Sequence, residues 1–286
     1  MIPMKWILLA GDDMKRNFAY ETYRSVEADS NYKTALDRRR YEDMLIARTK
    51  RTELPFLRKH FPQGTGAILE VGSGSGRILH ALLLAGFAKS AVGIEISPSR
   101  VRFGKKWARK LGTSRISHRT GDFLSMDVPE KFDTILCVTS IFPFFDMLEK
   151  EGLMKALRKM KKVLRPHGAL VLESVMFNNE VSLARVSGGS ARVWEEYAKG
   201  DPFRFNLVEY IWDERKRILV ARSQNVMRDR AHVDAPTIKK WHLESAKTLE
   251  KSLRRAGFRN IRFFGDFDSS VYKEGNSPRI IAVANA

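Results

Sequence analysis

The 286-residue sequence contains a single cysteine, Cys137. One thiol cannot form an internal disulfide, which excludes a disulfide-stabilised scaffold and predicts a reducing, cytoplasmic location. Cysteines and histidines do not recur at the spacing of zinc ligands, so the sequence predicts no metal site. The apolar run Trp6–Ala10 is too short to span a membrane or to act as a secretory signal, and we expect no membrane partner.

Acidic residues are in the minority, with 33 Asp and Glu against 51 Lys and Arg and a net charge of +18. Such an excess is typical of proteins that bind nucleic acid or an acidic substrate. The densest cationic runs are Arg100–Lys110 and Lys155–Arg165, and in both of them apolar residues recur at helical spacing. The cations therefore belong on solvated helix faces, and we favour this interpretation over a nucleic-acid footprint.

Short apolar runs alternate with helical patterns through the middle of the chain. Strands are predicted at Ala67–Val71, Ala91–Glu95, Phe132–Val138 and Ala169–Glu173, with a helical pattern after each of the earlier ones. This alternation predicts an α/β fold with a parallel sheet and right-handed crossovers.

Residues 175–243 interrupt that alternation, because a strand-to-helix connection usually takes only about 2–6 residues. We predict an inserted α+β lid that contains a helix at Ala191–Lys199 and a hairpin formed by Phe203–Trp212 and Arg217–Ala221. The regular fold then resumes over residues 244–286, with a helix at Glu244–Ala256 and strands at Ile261–Phe264 and Arg279–Val283.

A glycine-rich turn follows the first predicted strand. Gly72, Gly74 and Gly76 alternate there, which lets the backbone approach a ligand and turn sharply into a helix. Arg77 stands where a dinucleotide fingerprint would have its third glycine. Glu70 places a carboxylate at the strand's end, where it would attract an ammonium group and repel a pyrophosphate.

Two further acidic residues follow later strands. Glu95 ends the second strand, a position from which one carboxylate can bind both hydroxyls of a ribose. Asp122 can accept a hydrogen bond from an adenine amino group, while Phe123 packs on the ring. Their joint occurrence favours a nucleoside site over a solvated strand end and a simple turn.

Taken in order, these motifs resemble those of class I S-adenosylmethionine-dependent methyltransferases. The resemblance covers about residues 65–174 and 244–286 and rests on Glu70–Gly76, Val92–Glu95, Gly121–Phe123, Phe132–Cys137 and Leu164–Gly168. It implies a Rossmann-like seven-stranded, mostly parallel sheet with helices on both faces, formed by residues 67–174 and 244–286. His167 departs from the family's usual glycine in a turn away from the cofactor.

The resemblance also implies S-adenosylmethionine as cofactor and assigns its contacts. Glu70 and the glycine turn would hold the methionine end, Glu95 the ribose, Asp122 and Phe123 the adenine, and residues 137–140 would face the sulfonium. The predicted cofactor-binding residues are Glu70, Gly72, Ser73, Gly74, Gly76, Glu95, Ile96, Asp122, Phe123, Cys137 and Tyr41.

Residues 1–66 are polar and predicted to be mostly helical, with an amphipathic helix at Arg38–His60. We expect this segment to cover the cofactor, although ordinary helix packing explains its aromatic residues equally well. The tyrosines concerned are Tyr20, Tyr23, Tyr32 and Tyr41.

The C-terminal tail and the lid resemble those of the subgroup that methylates small molecules, including sugar N-methyltransferases and natural-product O-methyltransferases. The expected acceptor is therefore an amine or hydroxyl of a small molecule bound by residues 175–243. A hydroxyl acceptor benefits from a general base. His232 and Glu173 are the candidates we favour, with His242 and Glu180 as further possibilities.

Two other functions stay open at this point. The basic surface could serve an RNA methyltransferase, although Thr139–Pro143 carries no signature of a nucleic-acid base methylase. The motifs report cofactor binding and not turnover, so a non-catalytic S-adenosylmethionine-binding protein has the same pattern.

Overall fold

The computed structural model describes residues 35–139, 141–148, 150–196, 203–227 and 237–286. Its helices are α1 Ala35–Arg51, α2 Glu53–His60, α3 Arg77–Leu84, α4 Pro98–Lys110, α5 Phe145–Leu148, α6 Gly152–Val163, α7 Asn178–Val186 and α8 Ala246–Arg255. Its strands are β1 Thr65–Val71, β2 Ala88–Glu95, β3 Ile116–Thr120, β4 Phe132–Cys137, β5 Leu164–Val175, β6 Ser190–Glu196, β7 Phe203–Asp213, β8 Ile218–Met227, β9 Thr237–His242, β10 Arg259–Phe264 and β11 Arg279–Asn285. A 3-10 turn, Phe142–Phe144, precedes α5.

Seven strands form the main sheet in the order β10-β11-β5-β4-β1-β2-β3. Strands β1 to β5 pair in parallel, and β11 runs antiparallel to both of its neighbours. The predicted Rossmann-like α/β fold is confirmed. Successive strands leave β1 in opposite directions, so a crevice opens at the carboxyl ends of β1 and β4, where such sheets bind their ligands.

Alternate residues of the central strands face opposite layers of helices. In β4, Ile135 and Cys137 belong to the cluster formed with α6 and α8, whereas Leu136 belongs to the cluster formed with α2 and α3. A parallel sheet buried on both faces requires continuous apolar runs, and this is why its strands were easy to recognise in the sequence.

The two most cationic helices lie on opposite faces of this sheet. Trp107 of α4 packs on His80 of α3, with ring centroids 4.6 Å apart. Met160 of α6 is buried in the cluster on the other face.

The N-terminal part differs from the prediction of one helix at Arg38–His60. Thr52 adopts a non-helical conformation and separates α1 from α2. Leu45 of α1 packs with Phe103 and Trp107 of α4, while Leu57 of α2 packs under the main sheet. The two helices pack in different apolar clusters, and the chain bends between them. None of the helices in the described ranges is long and apolar enough to cross a bilayer.

Strands β6 to β9 form a second, antiparallel sheet in the order β6-β7-β8-β9. The predicted hairpin is confirmed as β7 and β8. The predicted helix at Ala191–Lys199 is wrong over its described part, because Ser190–Glu196 pairs with β7 as a strand. Val193 packs against the apolar cluster of this sheet and Ala191 is buried, and this tertiary packing decides a segment of ambiguous propensity.

Candidate active site

A cavity of about 360 Å³ opens at the carboxyl ends of β1, β2 and β4. The polar walls come from the turns that follow these strands, and α1 contributes Tyr41, Leu45 and Arg48 from above. Ile141, Phe144 and Phe145 close the apolar side, and Lys239 reaches it from β9.

The glycine turn between β1 and α3 forms the floor of the cavity. Gly72, Gly74 and Gly76 have φ angles of 71°, 56° and 78°, a region that L side chains rarely adopt. A Cβ atom at Gly72 would lie 2.6 Å from the Ile141 side chain, and one at Gly76 would lie 2.3 Å from the His118 ring. Conformation and space both require glycine at these two positions.

Glu70 brings a buried carboxylate to this floor. Among the described residues no group donates a hydrogen bond to its Oε2 atom. The nearby guanidinium of Arg77 donates instead to Glu53 at 2.6 Å and to Thr49 at 2.7 Å. Burial raises the pKa of Glu70 to about 8, which the charge of Arg77 offsets only in part. A cationic group in the cavity would give this carboxylate the partner that it lacks.

Glu95 and Asp122 stand at the next two turns. Glu95 accepts hydrogen bonds from the backbone N–H of Gly74 at 2.9 Å and of Ser97 at 2.8 Å, one at each oxygen. Each carboxylate oxygen can accept a further bond, so two hydroxyl groups can still bind there. Asp122 uses one oxygen to accept from Leu124 N at 2.9 Å. Its other oxygen leaves room for an amino donor.

The glycine turn, the acidic strand ends and most of the β7–β8 hairpin lie within one continuous sequence match. A profile of the family described as "Methyltransferase domain" matches residues 63–223. The chain belongs to this family. The resemblance inferred from its motifs is thereby confirmed, and S-adenosylmethionine is the cofactor of the class.

Individual relatives agree with this family. Uncharacterized methyltransferases of Bacillus thuringiensis and Bacillus anthracis are 33% identical over 115 residues, which is 40% of this chain and 50% of theirs. The chain thus matches about half the length of these curated relatives.

Solved structures of methyltransferases share the fold. The CcbJ methyltransferase of Streptomyces caelestis superposes with a TM-score of 0.64 at 16% identity, over 77% of this chain and 83% of that one. An S-adenosylmethionine-dependent methyltransferase of Clostridium acetobutylicum gives 0.63 at 15% identity, over 92% and 95%. CalS10, an amino pentose methyltransferase of Micromonospora echinaspora, gives 0.58 at 16% identity, over 89% and 97%.

In this methyltransferase domain most of the predicted cofactor-binding residues line one cavity. Those that do are Tyr41, Glu70, Gly72, Ser73, Gly74, Glu95, Ile96, Asp122 and Phe123. Gly76 lies behind the turn and starts α3 in a left-handed conformation. Cys137 lies in the core cluster next to α6 and α8 and is not part of the cavity wall. Burial raises the pKa of its thiol, so it stays protonated.

Thr139 takes the place at the end of β4 that the sequence had suggested for Cys137. It lines the cavity with a φ angle of 64°, which is uncommon for a residue other than glycine. Its backbone N–H donates to Glu173 Oε2 at 2.5 Å. Glu173 is fully buried and also accepts a hydrogen bond from Arg279. Glu173 therefore contacts the turn at Thr139 and is absent from the cavity wall.

Of the other three candidates for a general base, the structure describes His242 and Glu180. His232 lies outside the described residues, as do Tyr20, Tyr23 and Tyr32. Among the described residues, neither His242 nor Glu180 lines the cavity. His242 lies instead beside Asp146 and Glu244.

Sequence reasoning missed the apolar wall of the site. Ile141, Phe144 and Phe145 come from the turn and short helix after β4, and Lys239 comes from β9. The aromatic run Phe142–Phe145 was a usable signal, because such residues favour a buried turn. Lys239 had no signal, since it is one of many lysines and only the pairing of the second sheet brings it there.

Proposed function

We propose that this protein transfers a methyl group from S-adenosylmethionine to an amine or hydroxyl group of a small-molecule acceptor. The observation that carries the proposal is the buried Glu70 carboxylate at the glycine turn, which lacks a partner at one oxygen. Glu95 and Asp122 line the same cavity. The three carboxylates are therefore placed to accept from the ammonium group, the ribose hydroxyls and the adenine amino group of an amino acid joined to a nucleoside.

The proposed contacts follow from hydrogen-bonding capacity. Glu70 would accept from the ammonium of the methionine end, next to the glycine turn that includes Ser73. Glu95 would accept from both ribose hydroxyls with the lone pairs that Gly74 and Ser97 leave free. Asp122 would accept from the adenine amino group, with Ile96 and Phe123 packing near the base. Tyr41 would cover the cofactor from α1.

Bound S-adenosylmethionine supplies the activated methyl group, so the chain has to orient the acceptor and exclude water. Thr139 holds the turn next to the reacting end in its left-handed conformation. Glu173 and Arg279 fix that turn from behind. We therefore assign Glu173 a positioning role, and His232 stays a prediction as general base.

The size and chemistry of the cavity favour a small acceptor. An apolar wall with few polar groups is typical of small-molecule sites. Here Ile141, Phe144 and Phe145 form the apolar wall and Lys239 adds one cation. Sugar N-methyltransferase KedS8 and amino pentose methyltransferase CalS10 share the fold, which supports an amine of a sugar-like molecule as acceptor.

RNA is the less favoured acceptor because the densest groups of cations lie on different sides of the molecule. The most basic helices, α4 and α6, lie on opposite faces of the main sheet and cannot form one continuous phosphate-binding surface. The cytoplasmic location inferred from the single cysteine stays a prediction.

Two measurements test the proposal. Calorimetry should show micromolar binding of S-adenosylmethionine and of its demethylated product, and no binding of NAD. A screen with methyl-labelled S-adenosylmethionine against metabolite and RNA pools should then label a small molecule. Absence of heat with both sulfur nucleosides, or saturation by NAD, would overturn the proposal. Binding without labelling of any pool would leave a non-catalytic binding protein.

A further inference from the structure

A second group of ionisable side chains lies outside the cofactor cavity. Asp146 belongs to the short helix α5, His242 ends β9, and Glu244 precedes α8. The Nδ1 atom of His242 lies 3.3 Å from Glu244 Oε1 and 3.8 Å from Asp146 Oδ2. Two segments that are distant in sequence, α5 and the connection from β9 to α8, therefore meet at one nitrogen and two carboxylate oxygens.

The spacing of these atoms matches that of metal ligands. One ligand atom from each residue lies within 4.8 Å of the other two. Ligands about 2.1 Å from a tetrahedral zinc ion are about 3.4 Å apart, so the observed separations need only small side-chain adjustments. An imidazole with two carboxylates is a ligand set suited to zinc and similar divalent transition ions.

The remaining atoms of both carboxylates already have structural partners. Asp146 Oδ1 accepts from the backbone N–H of Leu153 at 2.9 Å, at the start of α6. Glu244 Oε2 accepts from the hydroxyl of Thr248 in the first turn of α8. Such outer bonds orient metal ligands and hold them in place, and here they leave Oδ2 and Oε1 directed toward His242.

The charge around the cluster is also favourable. The positive charge of Arg217 acts on His242, but the Nε of Arg217 donates to Leu243 O at 2.8 Å and its guanidinium lies 3.4 Å from Glu274. Both of these contacts of Arg217 are to groups outside the cluster, so they leave its two carboxylates available to a metal ion. Glu244 is buried as well.

We propose that Asp146, His242 and Glu244 bind a divalent transition-metal ion of the zinc class. The ion would join the last strand of the second sheet to α5 and to the start of α8, and a solvent molecule would complete its coordination. The proposal departs from the sequence-based prediction of no metal site, which considered only the spacing of Cys and His. The site has one histidine, and all four strands of the second sheet lie between Asp146 and Glu244 in the sequence.

The test measures metal binding and does not depend on methyl transfer. The full chain is stripped with a chelator and dialysed against zinc, with His242→Asn and Asp146→Asn as variants. The Asp146→Asn side chain keeps the oxygen that accepts from Leu153. The control is His167→Asn, because His167 is exposed, belongs to β5 and has a positive φ that asparagine tolerates.

The wild-type chain and His167→Asn should bind an equimolar amount of zinc. Each site variant should bind it at least about tenfold more weakly, since even outer-shell changes usually cost that much. Cobalt should give the visible bands of a low-symmetry nitrogen and oxygen site in the wild type, and these should vanish in His242→Asn. Zinc should raise the melting temperature of the wild type and of His167→Asn, and should leave that of the site variants nearly unchanged.

Three outcomes would overturn the proposal. They are the absence of zinc binding by the wild type, equal binding by the folded site variants, and a cobalt spectrum unchanged by His242→Asn. Circular dichroism and melting of the metal-free variants show whether they fold, so a loss of binding can be separated from a loss of structure.

Discussion

The two sheets of this methyltransferase domain differ in how many of their faces are covered. The main sheet has helices on both sides, and its central strands β1 and β4 are buried over most of their length. The second sheet packs Val208 and Trp212 of β7 toward the cluster that includes α7, while Trp194 is 66% exposed and Leu207 is 43% exposed on the other face.

This difference separates two roles. The main sheet fixes the turns that carry Glu70, Glu95 and Asp122, so the proposed cofactor contacts lie on a rigid scaffold. The second sheet has a smaller core and contributes Lys239 to the cavity. We therefore expect substitutions at the main-sheet turns to change cofactor binding, and substitutions in the second sheet to change acceptor binding.

The largest expected effect concerns Glu70 and the stability of the cofactor-free protein. The pKa of Glu70 is raised to about 8 in the folded state by burial, so folding favours its protonated form. The contribution of this group to the free energy of unfolding is present at low pH. It should fall as the pH rises from about 4.5 to about 8, by at most about 5 kcal/mol at about 1.4 kcal/mol per pKa unit.

Glu70→Gln removes this titration and should make the cofactor-free protein more stable than the wild type at pH 8. The same variant should bind S-adenosylmethionine at least about tenfold more weakly, because a charge-assisted hydrogen bond is lost. Urea unfolding at several pH values and calorimetry measure the two effects. Glu130→Gln, at an exposed carboxylate paired with Arg119, is the control. If Glu70→Gln is no more stable than the wild type at pH 8, ionisation of Glu70 does not destabilise the folded protein.

The next effect concerns Glu95. Glu95→Ala should weaken binding of S-adenosylmethionine by about 2–4 kcal/mol, because charge-assisted hydrogen bonds contribute about 1.5–3 kcal/mol each and are not additive. The alanine also releases the N–H groups of Gly74 and Ser97. Glu95→Gln keeps an acceptor oxygen, so its affinity for S-adenosylmethionine should lie between that of the wild type and that of Glu95→Ala. Calorimetry with the demethylated product measures the series, and unchanged affinity in folded Glu95→Ala would remove Glu95 from the site.

A smaller effect is expected at Lys239, the residue through which the second sheet reaches the cavity. Lys239→Met should raise the KM for the acceptor by about tenfold, or about 1.4 kcal/mol, and leave the affinity for S-adenosylmethionine nearly unchanged. Lys240→Met is the matched control, because neighbouring strand residues point to opposite faces of the sheet. Steady-state kinetics and calorimetry separate the two ligands. A loss of affinity for S-adenosylmethionine in Lys239→Met would instead show that Lys239 contacts the cofactor and not the acceptor.

The same contrast between the sheets explains how far the sequence could be interpreted. Continuous apolar strands ending in Glu70 or Glu95 identified the main sheet, because burial on both faces leaves a strong pattern. The helix predicted at Ala191–Lys199 is wrong over its described part, because the apolar pattern there is mixed and only pairing with β7 makes Ser190–Glu196 a strand. Contacts between distant segments left no signal, as with the bond from Glu173 to Thr139 and the cluster at His242.

The smallest expected effect is that of salt, and it separates a small acceptor from RNA. A protein that contacts several phosphates loses about 10³–10⁵ in affinity between about 50 and 200 mM salt, because bound counterions are released. Here α4 and α6 present their cations on opposite faces, and the cavity receives Lys239 from the second sheet. Methyl transfer to the acceptor found in the screen should therefore change by less than about twofold over that range. Initial rates at subsaturating acceptor measure kcat/KM, with S-adenosylmethionine binding followed in parallel as a control. A steep fall in kcat/KM at constant cofactor affinity would contradict an acceptor site at the apolar wall. It would favour RNA as the acceptor, bound on the basic surface.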